Sequence, residues 1–462
     1  MSTHAERILD DLSGWELSGG RPGWAPPARL LEDLARLAGA PADGRAITDP
    51  PGPGELSCGA AVCRWERDVI QAAEQTGTPI CRKARWPKAA PFALFLSHDV
   101  DQIHDRELFR WLGDINHLRR HGLGRERGDG GACLRRILRP LMHPADPYDQ
   151  FAAIRRIEGK HGWKSTFFLL EDKYWARMGG RFRWTDPAFA RISRFLLEDA
   201  CELGIHGSAY SHAEPDWWQQ TARRFSELYG RPALGARNHY LKLQTPQTWM
   251  GQSRAGLRYD STLGFPNQLG APRGFCFPFQ ALAASGSERP RLIELPLSIM
   301  DQTLFRYLNL DGEGAFQQAR DCLSRIIGIG GLAVLLWHNN FFHEEEYGEW
   351  EQTYERLLDW LAPHHPWVAR GCDIAAWWEA RASASLVSVE TASGGKEWRL
   401  TVAEAVENFA VEIFGLRDGE EIEGDAGRLE AGKNARPAVW LFPKLGAGET
   451  TCFRTRRTSD RH

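Results

Sequence analysis

The chain has 462 residues, with 57 basic and 60 acidic side chains and a formal net charge of −3. That length suits one large domain with one or two small ones, and near neutrality removes any general electrostatic argument for nucleic acid or an anionic membrane as partner. Nine cysteines without a spaced framework fit reduced thiols, and the absence of a signal-type N-terminus or a membrane-spanning apolar run leads us to expect a cytoplasmic protein with no transmembrane segment.

Residues 1–90 carry short helical patterns, such as 27–37, broken by a turn-rich link at 40–55, and read as a helical N-terminal segment. From 91 to 382 short apolar runs alternate with amphipathic stretches of helical period. The first run, 91–96, ends in Ser97-His98-Asp99-Val100-Asp101-Gln102. An insertion rich in arginine and glycine, 106–147, follows; its stretch 133–142 has the pattern of a short basic helix, for which a solvated charged face is the plainer reading.

Helix 148–162 then leads to strand 165–170, and helix 186–203, with Pro187 suited to a first helical position, to strand 204–207. Helix 215–229 leads to strand 234–240, and helix 245–257 to segment 258–263. Helix 313–327 precedes strand 332–337, and helix 346–361 precedes 367–369. Such alternation implies parallel strands with helical crossovers, and about seven of them predict a distorted (β/α)7-type barrel, with an open doubly wound sheet as the rival. After 383 the pattern changes to β-branched alternation, in runs 385–389, 398–402, 409–413, 438–442 and 451–453. A small antiparallel β-sandwich module over 383–462 is expected.

In a parallel architecture the loops leaving the carboxyl ends of the strands converge on one face. Four polar clusters fall at such exits: the DVD of 99–101, HGSAYSH at 206–212, RNHY at 237–240 and WHNN at 337–340. Asp99 and Asp101 could be turn residues bonded to local backbone. Two carboxylates so close are otherwise unfavourable unless a cation or a shared proton intervenes. Carboxylates, imidazoles and an arginine on one face match the requirements of metal-assisted hydrolysis, in which an ion acidifies water and a carboxylate and a histidine handle the protons.

The order and spacing of LSHDVD at 96–101, KSTFFL at 164–169, GIHGSAYSH at 204–212, RNHYLKL at 237–243, YDSTLGF at 259–265, ELPLSIMD at 294–301 and LLWHNN at 335–340 resemble polysaccharide deacetylases of the NodB-homology type, in a divergent bacterial branch with an HDVD opening. The resemblance covers about 91–382 and implies a metal-dependent hydrolase removing acetyl from an N-acetylated sugar of a polysaccharide or its precursor. It implies Asp99 as catalytic base, Arg237 as its orienting partner, His338 as leaving-group acid and Asp260 as the residue orienting that histidine. The metal, a divalent ion with zinc the expected one, would be held by Asp101, His206 and His212. In the family the two histidines stand four residues apart; here they are six apart, with Ser208 where the first would align on His212. Either the loop brings both rings to the ion or one is not a ligand, and His206, which ends the strand, is the firmer of the two. His239, Tyr240, Trp337 and Asn339 are expected to meet the carbohydrate, and the aromatic pieces 217–218 and 341–342 either stack on sugar or pack in the core. Two other readings share these residues: an inactive carbohydrate-binding or scaffold protein on the same fold, and an aspartyl phosphatase using the DVD motif.

Overall fold

The computed structural model of the chain describes residues 58–103, 148–170, 182–281, 291–342, 344–391, 396–417, 419–430 and 437–457, with a few positions before and between them. The expected helix 27–37, the link 40–55 and nearly all of the insertion 106–147 lie outside the described residues.

Helix α1 (Cys58–Thr76) and strand β1 (Ile80–Lys83) come first. Strands β2 (Ala93–Val100), β3 (Thr166–Leu170), β4 (Glu202–Gly207), β5 (Gly235–Asn238) and β6 (Tyr259–Asp260) follow, with helices α2 (Phe151–Gly159), α3 (Pro187–Glu198), α4 (Pro215–Tyr229) and α5 (Gln247–Arg254) between them in turn. Three two-residue strands come next, β7 (Phe279–Gln280), β8 (Ile293–Glu294) and β9 (Ile299–Met300). Helix α6 (Gly312–Gly328), β10 (Leu332–Leu336), α7 (Glu344–Leu361), β11 (Trp367–Val368) and α8 (Gly371–Ser383) complete this part.

Strand β2 pairs in parallel with β3 and β10, and the parallel series continues through β4 and β5 to β6. Strands β8 and β9 belong to one stretch of chain, which joins β6 at one end and β10 at the other. Leu295 N donates to Asp260 O at 2.8 Å, and Ser298 N donates to Val334 O at 3.1 Å. This stretch closes the sheet into a ring, which is the distorted (β/α)7-type barrel expected from the alternation. The closing strand itself was not among the expected elements, because Pro296 lacks the N–H a ladder needs and splits the run in two.

Local signals explain several element ends. Asp186 caps α3 by accepting from Ala188 N at 2.9 Å, with Pro187 in the first turn. That helix stops at Glu198, short of the expected 203. Asp199 is held by Arg155 at 2.5 Å and Lys164 at 2.6 Å, and Ala200 takes a left-handed φ of 58° that turns the chain into β4.

The barrel interior is layered. Phe95, Phe168 and Tyr259, from three different strands, meet with ring centroids 6.2 to 6.5 Å apart. Above them the Arg237 guanidinium lies 4.6 Å over the Phe168 ring. Alternation along β2 sends its other face outward, where the buried His98 ring reaches Glu158 of α2 at 2.8 Å and the carbonyl of Trp337 at 2.7 Å.

The remaining strands are β12 (Ser385–Glu390), β13 (Lys396–Thr401), β14 (Val406–Phe414), β15 (Glu420–Gly424), β16 (Arg428–Leu429), β17 (Ala438–Leu445) and β18 (Thr450–Arg457). They form two four-stranded sheets, ordered β1-β14-β17-β16 and β12-β13-β18-β15. Phe442 of one sheet meets Phe453 of the other at 5.9 Å, so the buried faces oppose each other as a sandwich, and within its own sheet Phe453 stacks on Trp398 at 5.4 Å. Strand β1 comes from ahead of the barrel, so both flanks of the chain build this module. Lys83 Nζ fastens it to α8 by donating to Arg381 O and Ala384 O, each at 2.8 Å. No helix among the described residues is long and apolar enough to cross a membrane.

Candidate metal centre and its acid and base groups

Alternation along β2 places Ser97 and Asp99 on the inner side of the barrel, with Asp101 just beyond the strand end. Asp99 is buried and Arg237 fully so. The guanidinium donates from Nη1 to Asp99 Oδ1 at 3.1 Å and to Ser97 Oγ at 2.8 Å. Its Nε and Nη2 donate to Ser261 O and Oγ at 2.8 and 2.9 Å. A buried cation is tolerated when its charge is paired and its N–H groups are satisfied, as they are here, and the arrangement fixes Asp99 with Oδ2 turned toward the barrel mouth, 3.6 Å from His206 Nε2.

At that mouth three donors converge. His206 Nε2 is 3.1 Å from His239 Nδ1, and Asp101 Oδ1 is 3.4 Å from each of these nitrogens. His206 Nδ1 lies 2.8 Å from the carbonyl oxygen of Arg237, a contact in which the ring N–H donates and leaves Nε2 with a lone pair facing the group. Asp101 Oδ1 is buried and, among the described residues, accepts no hydrogen bond. Burial alone would raise the Asp101 carboxyl, but the facing His239, His206 and His338 rings outweigh it and hold the group well below the usual carboxylate range. Ligands about 2.1 Å from a tetrahedral ion stand about 3.4 Å from one another. The observed triangle of 3.1, 3.4 and 3.4 Å therefore fits one divalent ion, and the donor set of two imidazoles and a carboxylate suits zinc.

His338, just past β10, faces the same group from the far side of Asp101, with Nε2 4.0 Å from Asp101 Oδ2. Its Nδ1 lies 2.8 Å from Asp301 Oδ1, and its backbone N–H donates to Asp301 Oδ2 at 2.7 Å. Burial works against the charged ring, but Asp301 above all, with Asp101 and Asp99, pushes its pKa up to about 9.

The structure thus brings together Asp99, Asp101, His206, Arg237, His239 and His338. His212 stands apart, in the turn Ser211–Ala213. That turn is pinned by Ser208 Oγ, which accepts from Ser211 N at 3.1 Å, and by the Ser211 hydroxyl, which donates to Asn238 Oδ1 at 2.8 Å. The second imidazole of the donor group is instead His239, expected from the sequence to meet substrate. Asp260 does not reach His338; its carboxyl accepts from Gln252 Nε2 at 2.7 Å and Thr262 Oγ1 at 2.8 Å and lies against Glu294. Asp301 occupies the orienting position, and the signal that could have found it is an acid directly after the apolar run 295–300.

Of the other residues expected to meet carbohydrate, Trp337 is fully buried against Phe305 and Tyr354. Asn339 is buried too, and its Nδ2 donates to Gln102 O and Tyr148 O at 2.9 Å each, bracing the loop that carries Asp101. Trp217, Trp218, Phe341 and Phe342 are core residues. Tyr240 is 57% exposed, with its ring 3.9 Å from that of His239. Tyr240 and Leu241 take left-handed φ values of 59° and 52°, a conformation that costs a side-chain-bearing residue about 1–2 kcal/mol.

No protein-family model matches the chain, and no curated protein matches it in sequence. Among solved structures, a Mycobacterium smegmatis protein assigned as a polysaccharide deacetylase aligns at 17% identity and a TM-score of 0.43, over 64% of this chain and 93% of the other. A Pseudomonas aeruginosa protein with the same assignment aligns at 16% and 0.42, over 64% and 94%. The PuuE allantoinase aligns at 15% and 0.44, over 64% and 93%. At these identities and TM-scores the likeness carries no function to this chain, for which the site's own geometry and the sequence motifs speak.

Proposed function

We propose that the chain is a divalent-metal-dependent hydrolase that removes an acetyl group from an N-acetylated sugar. The observation that carries this reading is the triangle of Asp101 Oδ1, His206 Nε2 and His239 Nδ1, with sides of 3.1 to 3.4 Å, beside a carboxylate and a histidine that are not among the three donors. The sugar rests on the ordered motifs at 96–101, 164–169, 204–212, 237–243 and 335–340, which resemble polysaccharide deacetylases.

Asp101, His206 and His239 would hold a divalent ion, which would supply the Lewis acidity that lowers the pKa of water and polarises a carbonyl. Asp99, fixed through Oδ1 by Arg237, presents Oδ2 to the same space and accepts the proton of the attacking water. His338 holds a proton on Nε2 and delivers it to the departing amine as the C–N bond breaks. Asp301 accepts the Nδ1–H and stabilises the doubly protonated ring from which the Nε2 proton leaves. The products are acetate and a free amino sugar.

The test is acetate release from N-acetylated chito-oligosaccharides by metal-stripped protein resupplied with zinc, cobalt or manganese. Release that depends on the ion and disappears in Asp99→Asn is the expected result. Protein that binds ion but releases no acetate from any N-acetylated sugar overturns the proposal.

A further inference from the structure

Beside the donor group the chain presents a second recognition feature. Tyr240 packs on His239 and is 57% exposed, and Tyr210, which ends the loop after β4, is 43% exposed. Lys242 joins them: its Nζ lies 5.8 Å from the Tyr210 ring centroid and 5.9 Å from that of Tyr240. It donates to Ala209 O at 3.1 Å, and among the described residues no carboxylate pairs with it. An ammonium has three donors, so this contact leaves others for a ligand.

The local backbone is built to make this arrangement. Two successive left-handed residues, Tyr240 and Leu241, bend the chain directly after His239. The bend keeps the Tyr240 ring against His239 and returns Lys242 toward the loop that carries Tyr210. Strained conformations of residues with side chains persist where the surrounding structure holds them, and they gather at binding sites. Here the strain keeps two exposed aromatic rings and a cation in contact sequence with a metal donor.

Exposed tyrosine rings offer flat apolar faces with a polar tip, which suit the C–H faces of a pyranose. A cation between them selects for negative charge. We infer that Tyr210, Tyr240 and Lys242 form a subsite for an anionic group, a carboxylate or a phosphate, on or next to the sugar that is deacetylated. The inference deepens the deacetylase proposal and rests on it for the position of the sugar.

Calorimetric binding to zinc-loaded full-length protein in an Asp99→Asn background, which blocks turnover, separates the two claims. Three probes are used: chitotetraose, which is neutral; a hyaluronan tetrasaccharide, which carries carboxylates; and UDP-N-acetylglucosamine, which carries a diphosphate. At least one anionic probe should bind tenfold or more tightly than chitotetraose, and the one that does so identifies the anion. Lys242→Gln should bring that ratio close to one, and Tyr240→Ala should weaken all three probes together. Equal binding of all three, no measurable binding of any, or a preference that survives Lys242→Gln overturns the inference. Acetate release by the unsubstituted protein is read separately, so a deacetylase without charge preference and a charge-selective binder without turnover give different results.

Discussion

Asp301 grips His338 at two points, accepting the backbone N–H on Oδ2 at 2.7 Å and meeting ring Nδ1 with Oδ1 at 2.8 Å. Both residues leave neighbouring parallel strands, β9 and β10, at the same level. The contact turns Nε2 toward Asp101 and favours a proton on the ring. Asp301→Asn keeps the size of the side chain but can present its amide N–H to Nδ1, which reverses the tautomer. We predict a fall in kcat of about 10²- to 10⁴-fold with metal content unchanged. Steady-state kinetics and metal analysis of the same preparation check this.

Asp99 and Arg237 separate base from anchor. Asp99→Asn retains an oxygen for the guanidinium but cannot take a proton from water. It should lower kcat by about 10²- to 10⁴-fold in steady-state kinetics. Arg237→Met should instead cost about 3–5 kcal/mol in a urea melt, because the Asp99 carboxylate is then buried without its cation.

His98 explains the outward face of the same motif. Its ring joins Glu158 and the Trp337 carbonyl at 2.8 and 2.7 Å and stacks on Phe167 at 4.6 Å. Burial opposes charge on Glu158, yet His98 first and Arg155 next hold that carboxyl below its usual range. His98→Phe preserves the stacking and removes both polar contacts. It should destabilise the fold by about 3 kcal/mol, as read by urea denaturation, without displacing the metal.

Glu294 and Asp260 lie together in the barrel wall. Burial and the neighbouring Asp260 charge push the Glu294 carboxyl well above its ordinary range. Trp249 Nε1 and Leu263 N donate to it at 2.9 and 3.0 Å. An unfolded chain releases this proton at about pH 4, whereas the folded chain keeps it. The stability from this group is therefore complete below the ordinary carboxylate range and is lost as pH rises through the raised folded value. Glu294→Gln should grow progressively more stable relative to the parent protein as pH rises above the ordinary carboxylate range. Parallel stability curves for the two proteins would contradict the assignment.

Much of the architecture could be read from the sequence where apolar periodicity was unbroken. Helix α4 has the expected bounds, 215–229, with Pro215 in its first turn and Gly230 as a left-handed cap, and the run before His338 is a fully buried strand. The barrel-closing stretch was not legible, because Pro296 divides it and its two halves pair with different neighbours. Asp301 was hidden with it, and its orienting place was given to Asp260. Strand β15 was hidden for another reason, since its glutamates mask β-alternation in a partly exposed strand. In the site, the strand ends located Asp99, Asp101, His206, Arg237 and His338, because alternation and exit position are local properties. The choice between His212 and His239 depended on how two loops fold over the barrel mouth, and spacing along one loop carries no information about its neighbour.

Zinc content and affinity of the parent protein, His239→Ala and His212→Ala test the donor triangle most directly. The parent and His212→Ala should each retain about one equivalent of zinc after dialysis, and His239→Ala should lose it. Loss of zinc from His212→Ala with retention in His239→Ala would contradict the site described above.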